Sequence, residues 1–337
     1  MSQTSLASPR ATPGPRTPGP PAAIRGSRSQ GRLGDRVFKL FAAAAAGLVL
    51  LSLGGAALSM LYGGIPAFRK FGLGFLTSSA WDPVAQDFGA FVPIYGTLVS
   101  SALAMLLAIP VSFGIAVFLT EVAPSWMRTP VAAAVELLAG IPSIIYGMWG
   151  LFIFAPIMGD VVEPWLNDVI GPAPLLGALF TGPPLGIGML TAGIILGVMV
   201  IPFISSVMRD VFALVPGSLR EAAFALGATR WEVIRGVVVP YTRTAVVGGI
   251  FLGLGRALGE TMAVTFVLGN AHEFYASLLQ PGNSIAAAIA NEFTEADSPI
   301  YVSSLIALGF VLFVVTFIVL ALAKLMLLRL ARQEGTS

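Results

Sequence analysis

Six stretches of mostly apolar residues recur along the chain, at roughly 40–62, 93–119, 131–157, 187–207, 244–268 and 302–328. Each reaches the length of about 20 residues that a helix needs to cross the hydrocarbon core. The polar positions between them are unevenly charged. With the N-terminus inside, one side collects Lys39, Arg128, Arg209, Arg220, Arg230, Arg235, Arg243, Lys324, Arg329 and Arg332, and the other only Arg69 and Lys70. That other side takes acids instead, among them Asp82, Asp87, Glu163, Glu273, Glu292 and Asp297. Positive charge stays on the cytoplasmic side, so both termini are expected there.

Residues 1–36 break the apolar pattern. They are rich in Pro, Gly and Ser, carry six arginines and show no periodicity, which predicts a disordered basic tail. The tail reads as a cytoplasmic retention signal rather than a nucleic-acid arm. The domain plan is then a tail (1–36), a six-helix transmembrane domain (37–332) and a short C-terminal tail (333–337). The segment 158–186 mixes apolar patches with Pro and Gly, and reads as an interfacial segment or a small external cap.

Composition narrows the chemistry. Hydrophobic residues make up 56% of the chain, charged residues 11%, and mean hydropathy is +0.87, far from a soluble domain with about a quarter of its residues charged. The chain has no cysteine and one histidine, His272, so it offers no thiolate chemistry and no histidine cluster for a metal. Its three lysines, Lys39, Lys70 and Lys324, lie in no G-x-x-x-x-G-K-[ST] loop. It therefore cannot hydrolyse ATP by P-loop chemistry. It is expected to be no enzyme and to bind no cofactor of its own.

The longest inner connection, 208–243, reads "MRDVFALVPGSLREAAFALGATRWEVIRGVVVPYTR". Pro216 and Gly217 make a turn, Ser218 is a candidate N-cap, and Gly227 suits a left-handed cap at the end of the first helix. Thr229 is placed to cap a second helix that Pro240 closes. Glu221, Ala222, Ala223, Gly227 and Pro240 match E-A-A-x3-G-x9-I-x-L-P, with Val237 and Val239 in place of Ile and Leu. On these residues the loop resembles that of the permease subunits of ATP-binding-cassette (ABC) importers. The resemblance implies an all-α integral membrane protein with the type I, MetI-like permease fold. It also implies that the loop docks on a separate ATPase, which uses the ATP and magnesium.

The fifth stretch poses a separate question, because "GRALGETMAVTF" carries Arg256 and Glu260 deep in an apolar run. A charge at the bilayer centre costs about 3 kcal/mol on insertion scales. Taken as one helix over 244–268, the stretch puts Gly249, Gly253, Arg256, Glu260 and Ala263 on one small-residue face. That face must meet protein or a water-filled path. Arg256 and Glu260 then read either as a register-fixing pair or as an anion site, with Glu260 a reversible partner of Arg256. Glu136 reads as a structural partner for an inner-side arginine or as a pathway residue. Pro142 reads as a kink that leaves the Leu138 carbonyl without its usual donor, or as a break that brings the Ser143 hydroxyl to the path.

"GRALGETMAVTFVLGN", "LLAGIPSIIYGMWGLF" and "FGAFVPIYGTLVSSALAMLLAIPVSFGIAVFLTEVAP" are similar to the PstC-type permease of phosphate-specific (Pst) importers. This resemblance implies import of inorganic phosphate across the bacterial cytoplasmic membrane. It also implies as partners a PstA-type permease, a PstB-type ATPase dimer and a PstS-type extracytoplasmic phosphate-binding protein, with membrane lipid around them and no nucleic acid. Transport roles pass to Arg256 and Glu260. The residues alone say only that the path is anion-compatible, so permeases for sulfate, molybdate or phosphonate remain alternatives. An ion-coupled secondary anion transporter is disfavoured by the loop and by the lack of inverted repeats.

Overall fold

A computed structural model describes residues 31–174 and 176–334, with side chains for 34–174 and 176–329. Most of the basic tail, and residues 335–337 of the C-terminal tail, lie outside the described residues. Helix α1 (Gly31–Phe71) starts inside the stretch read as tail. After it come α2 (Phe91–Val122), α3 (Ser125–Ala139), α4 (Ser143–Val169), α5 (Met189–Ala213) and the loop helix α6 (Gly217–Ala225). They are followed by α7 (Arg230–Leu258), the short α8 (Met262–Thr265), α9 (Ile285–Glu292) and α10 (Pro299–Glu334). Among the described residues six helices are long and apolar enough to cross a membrane, namely α1, α2, α4, α5, α7 and α10. The chain divides into two units, Met1–Gly55 and Ala56–Ser337, and the buried core belongs to the second.

Helix α5 is the hub of that core, with Ile195, Leu196, Val200, Ile204 and Met208 all buried. Hydrophobicity does not drive helices together in lipid, so close van der Waals approach through small residues must do so. A methyl group on Gly193 would come 2.6 Å from Leu103 of α2, and one on Gly253 of α7 would come 2.6 Å from Ile204. Gly249, Gly253 and Ala257 form the stripe of α7 that packs on α5. Arg256 falls beside this stripe, not in it, and its side chain is exposed.

The third apolar stretch departs from a single helix over 131–157. It is broken at Gly140–Pro142 into α3 and α4, with Pro142 preceding the first residue of α4. The two pieces nonetheless keep one antiparallel register along α5 and the residues just before it. Gly159 approaches Gly186, Gly150 approaches Ile195, and Glu136 pairs with Arg209. The break therefore lies opposite the middle of α5.

Four π-helical turns occur among the described residues, at Phe118–Val122, Gly150–Phe154, Met158–Val162 and Ile234–Val238. Each ends two residues before a proline: Pro124, Pro156, Pro164 and Pro240. Proline lacks the N–H that the carbonyl four residues back expects, and its ring crowds that carbonyl. The wider turn hands carbonyls to donors one residue further on, as Val239 N does for Ile234 O. Pro240 thus does not close a helix as expected, and the chain runs on through it as α7.

The segment 158–186 forms a cap. Its first part continues α4, where Glu163 is buried and accepts from Gly186 N at 2.9 Å. Asn167 exchanges two hydrogen bonds with the Gly182 backbone. Leu179 O accepts from Leu278 N, which ties the cap to the segment after α8.

Candidate functional site

The loop folds as a compact helix–turn–helix. Helix α6 starts at Gly217 after the extended Pro216, so Pro216 and not Ser218 occupies the cap position. At its far end Gly227 has φ +86°, the Gly227 N–H donates to Phe224 O, and the Ala228 N–H donates to Ala223 O. This is a Schellman termination, in which glycine avoids the Cβ penalty of the left-handed conformation. Thr229 then caps the next helix through a reciprocal capping box with Glu232.

Helix α6 buries none of its residues, and Leu226 is 90% exposed at its tip. Glu221 and Ala222 are exposed and Ala223 is half-buried. What anchors the helix is Arg220, which the charge pattern of the sequence assigns only to the inner side. Its guanidinium donates to Phe212 O and Val215 O, at the end of α5, and to Glu121 Oε1 of α2, at 2.8, 2.9 and 2.9 Å. The exposed loop is thereby tied to two membrane spans.

The site around Arg256 and Glu260 differs from expectation in its backbone and in its charge pairing. The fifth stretch is not continuous over 244–268. Helix α7 ends at Leu258, and Gly259, Glu260 and Thr261 separate it from α8. Arg256 lies in the last turn of α7, beside carbonyls without helical donors, and Glu260 just precedes α8, where its Oε1 accepts from Ala263 N at 3.3 Å. A cation at a helix C-terminus and an anion at an N-terminus are both favoured by the helix dipole. Among the described residues no ion pair joins Arg256 to Glu260, so the reversible pair is not found here. Each charge serves its own half-helix.

The segments that follow the two breaks pack together. Gly147 of α4 approaches Met262 O, Ala263 and Phe266, and Arg256 is within electrostatic reach of Tyr146. The Tyr146 hydroxyl donates to Leu138 O at 2.8 Å, supplying that carbonyl with a partner across the Pro142 break. Ser143, half-buried at the first turn of α4, sits at the same level. Irregular backbone at membrane depth is tolerated where it lines a cavity or is buried in protein. Glu136 lies one step toward the loop and bonds Arg209 at 2.6 Å, the structural role considered for it.

A second polar centre holds the opposite end. Glu292 accepts from Trp81 Nε1 and the Tyr301 hydroxyl, and lies 2.7 Å from His272 Nε2. His272 stacks on Trp81 with ring centroids 5.0 Å apart. Burial pushes the Glu292 carboxyl up, but the hydrogen bonds from His272, Tyr301 and Trp81 outweigh it and hold it below its ordinary value.

Comparison with known proteins decides the family. Residues 108–332 match the model of the binding-protein-dependent transport system inner membrane component. The chain belongs to that family. Relatives within it include a protein of Xylella fastidiosa (strain 9a5c) named "Phosphate transport system permease protein PstC", 58% identical over 99% of this chain and 100% of that one. One of the same name from Mesorhizobium japonicum is 53% identical over 93% of this chain and 97% of that one. A crystal structure of a bacterial alginate ABC transporter has a chain with a TM-score of 0.56 to this one, 19% identity, and coverage of 88% and 96%. The fold is thus that of an ABC importer permease. Family members are inner-membrane components, and the six apolar helices fit that placement.

Proposed function

We propose that this chain is a permease subunit of an ABC importer that carries inorganic phosphate inward across the bacterial cytoplasmic membrane. Both termini face the cytoplasm. The observation that carries the reading is the E-A-A loop: Glu221, Ala222, Ala223 and Gly227 sit on or just after a short, unburied helix anchored by Arg220 to α2 and α5. Such a helix suits a partner ATPase, whose closure would move both spans. The phosphate-permease name of a relative 58% identical over 99% of this chain favours phosphate over sulfate, molybdate or phosphonate.

In this reading the chain pairs with a second permease, two ATPase subunits and an extracytoplasmic phosphate-binding protein. ATP and magnesium belong to the ATPase. Arg256 attracts the oxyanion where the segments after the α3–α4 and α7–α8 breaks pack together, with Ser143 beside it and Glu260 closing the N-terminus of α8. Labelled-phosphate uptake by the reconstituted complex, with unlabelled sulfate as competitor, tests the reading. Uptake displaced by phosphate and not by sulfate is expected, and the opposite preference would overturn it.

A further inference from the structure

A cavity of about 320 Å³ opens at the loop end, lined by Thr120, Glu121, Arg128, Arg220, Phe224 and Arg230. It adjoins a larger cavity of about 590 Å³ that shares Thr120, Arg128 and Arg220 and extends to Glu136 and Arg209. Four arginines surround this space, and two are already neutralised. Arg220 pairs with Glu121, and Arg209 with Glu136 and Asp210. Arg128 spends only its Nε, on Ala123 O, which leaves both amino groups unused. Among the described residues no carboxylate lies within ion-pair distance of Arg128 or Arg230.

We propose that this cavity binds a phosphate group, of an anionic lipid or of free inorganic phosphate, between Arg128 and Arg230. Two planar guanidinium forks match a tetrahedral oxyanion by paired N–H donors. Arg220, on the same wall, keeps a buried Nε–H that has no acceptor. The volume admits a phosphate head with several bridging waters, each taking about 30 Å³. The neighbouring α3 buries none of its residues and carries Trp126, 75% exposed, the residue type that collects at membrane interfaces. An acyl chain has an apolar surface there to lie on. The site does not depend on what the permease transports. It lies on the coupling loop, so its occupant would sense or stiffen the contact between α6, α2 and α3.

The test uses the whole purified complex with its ATPase. Binding of phosphatidylglycerol, against phosphatidylcholine, is read by native mass spectrometry, and binding of inorganic phosphate by equilibrium dialysis with labelled phosphate. Arg128→Gln and Arg230→Gln alter exposed side chains, the first at the cost of the hydrogen bond to Ala123 O, and touch no residue of the buried core. Each is expected to weaken the bound species about fivefold, the worth of one arginine at an anionic surface, and together about twenty-five-fold. Lysine at both positions restores part of the loss. Loss confined to phosphatidylglycerol assigns a lipid headgroup, and loss confined to labelled phosphate assigns the free anion. Unchanged binding of both probes in the double variant overturns the proposal. So does loss of the ATPase from the double variant with both probes still bound, since the arginines would then hold protein.

Discussion

Replacing Arg220 with methionine keeps much of the side-chain bulk and removes the charge that ties α6 to the spans. The structure sets the size of the effect. Glu121, whose side chain is 11% exposed, loses its cation, and the carbonyls of Phe212 and Val215 lose their donor. A hydrogen bond to a charged group contributes about 1.5–3 kcal/mol, and these three share one guanidinium on a side chain that is 21% exposed. A combined cost of about 3 kcal/mol results, at the low end for breaking a mostly buried pair by removing one partner. At about 1.4 kcal/mol per tenfold, the anchored loop becomes about a hundredfold less favoured. The assay compares phosphate imported with ATP hydrolysed by the reconstituted complex, alongside its thermal unfolding. Arg220→Met should lower the unfolding temperature and cut import per ATP several-fold while the permease remains inserted. Adding Glu121→Gln should recover part of the loss, because it removes the stranded carboxylate. Wild-type unfolding and coupling in Arg220→Met would refute the anchoring role.

Gly227→Val puts a β-branched residue at φ +86° and should cost about 1–3 kcal/mol locally; the permease stays in the membrane while co-purified ATPase falls, and a normal ATPase yield argues against docking. Reporters fused after Arg235 and near Asp297 should report cytoplasm and outside respectively; a reversal at either would invert the topology. Glu292 is depressed below its ordinary value, so it favours the folded cluster with Trp81, His272 and Tyr301 fully above about pH 4.3, the ordinary glutamate value, and that contribution is lost as pH falls through its depressed value. Trp81 fluorescence should therefore hold steady from pH 7 to 5 and change only in stronger acid; a transition between pH 7 and 5 would refute the role given to Glu292.

Much of this architecture is legible in the residues because lipid imposes simple rules. The six spans follow from apolar length, and the loop follows from turn chemistry: Gly227 had to be left-handed and Thr229 had to cap, and both do. The departures share one cause, proline and glycine inside apolar runs. A fixed advance of 100° per residue cannot tell a helix that absorbs Pro240 in a π turn from one that stops at Pro142 or Gly259. The outcome depends on whether neighbouring donors, such as the Tyr146 hydroxyl, can satisfy the freed carbonyl. The anchoring role of Arg220 escapes the sequence because its partners Glu121 and Phe212 lie 99 and 8 residues away, a relation no local pattern records.

Phosphate uptake by the reconstituted complex carrying Arg256→Gln addresses the transport path most directly, measured with subunit yield and ATPase binding in the same preparation. Arg256 is exposed and takes no part in the packed stripe of α7. The complex should therefore assemble and bind its ATPase normally while uptake falls at least about a hundredfold, the scale on which one positioned charge acts on a bound anion. Uptake within a few-fold of wild type would contradict a phosphate path through Arg256 and leave that arginine as a charge compensating the end of a broken helix.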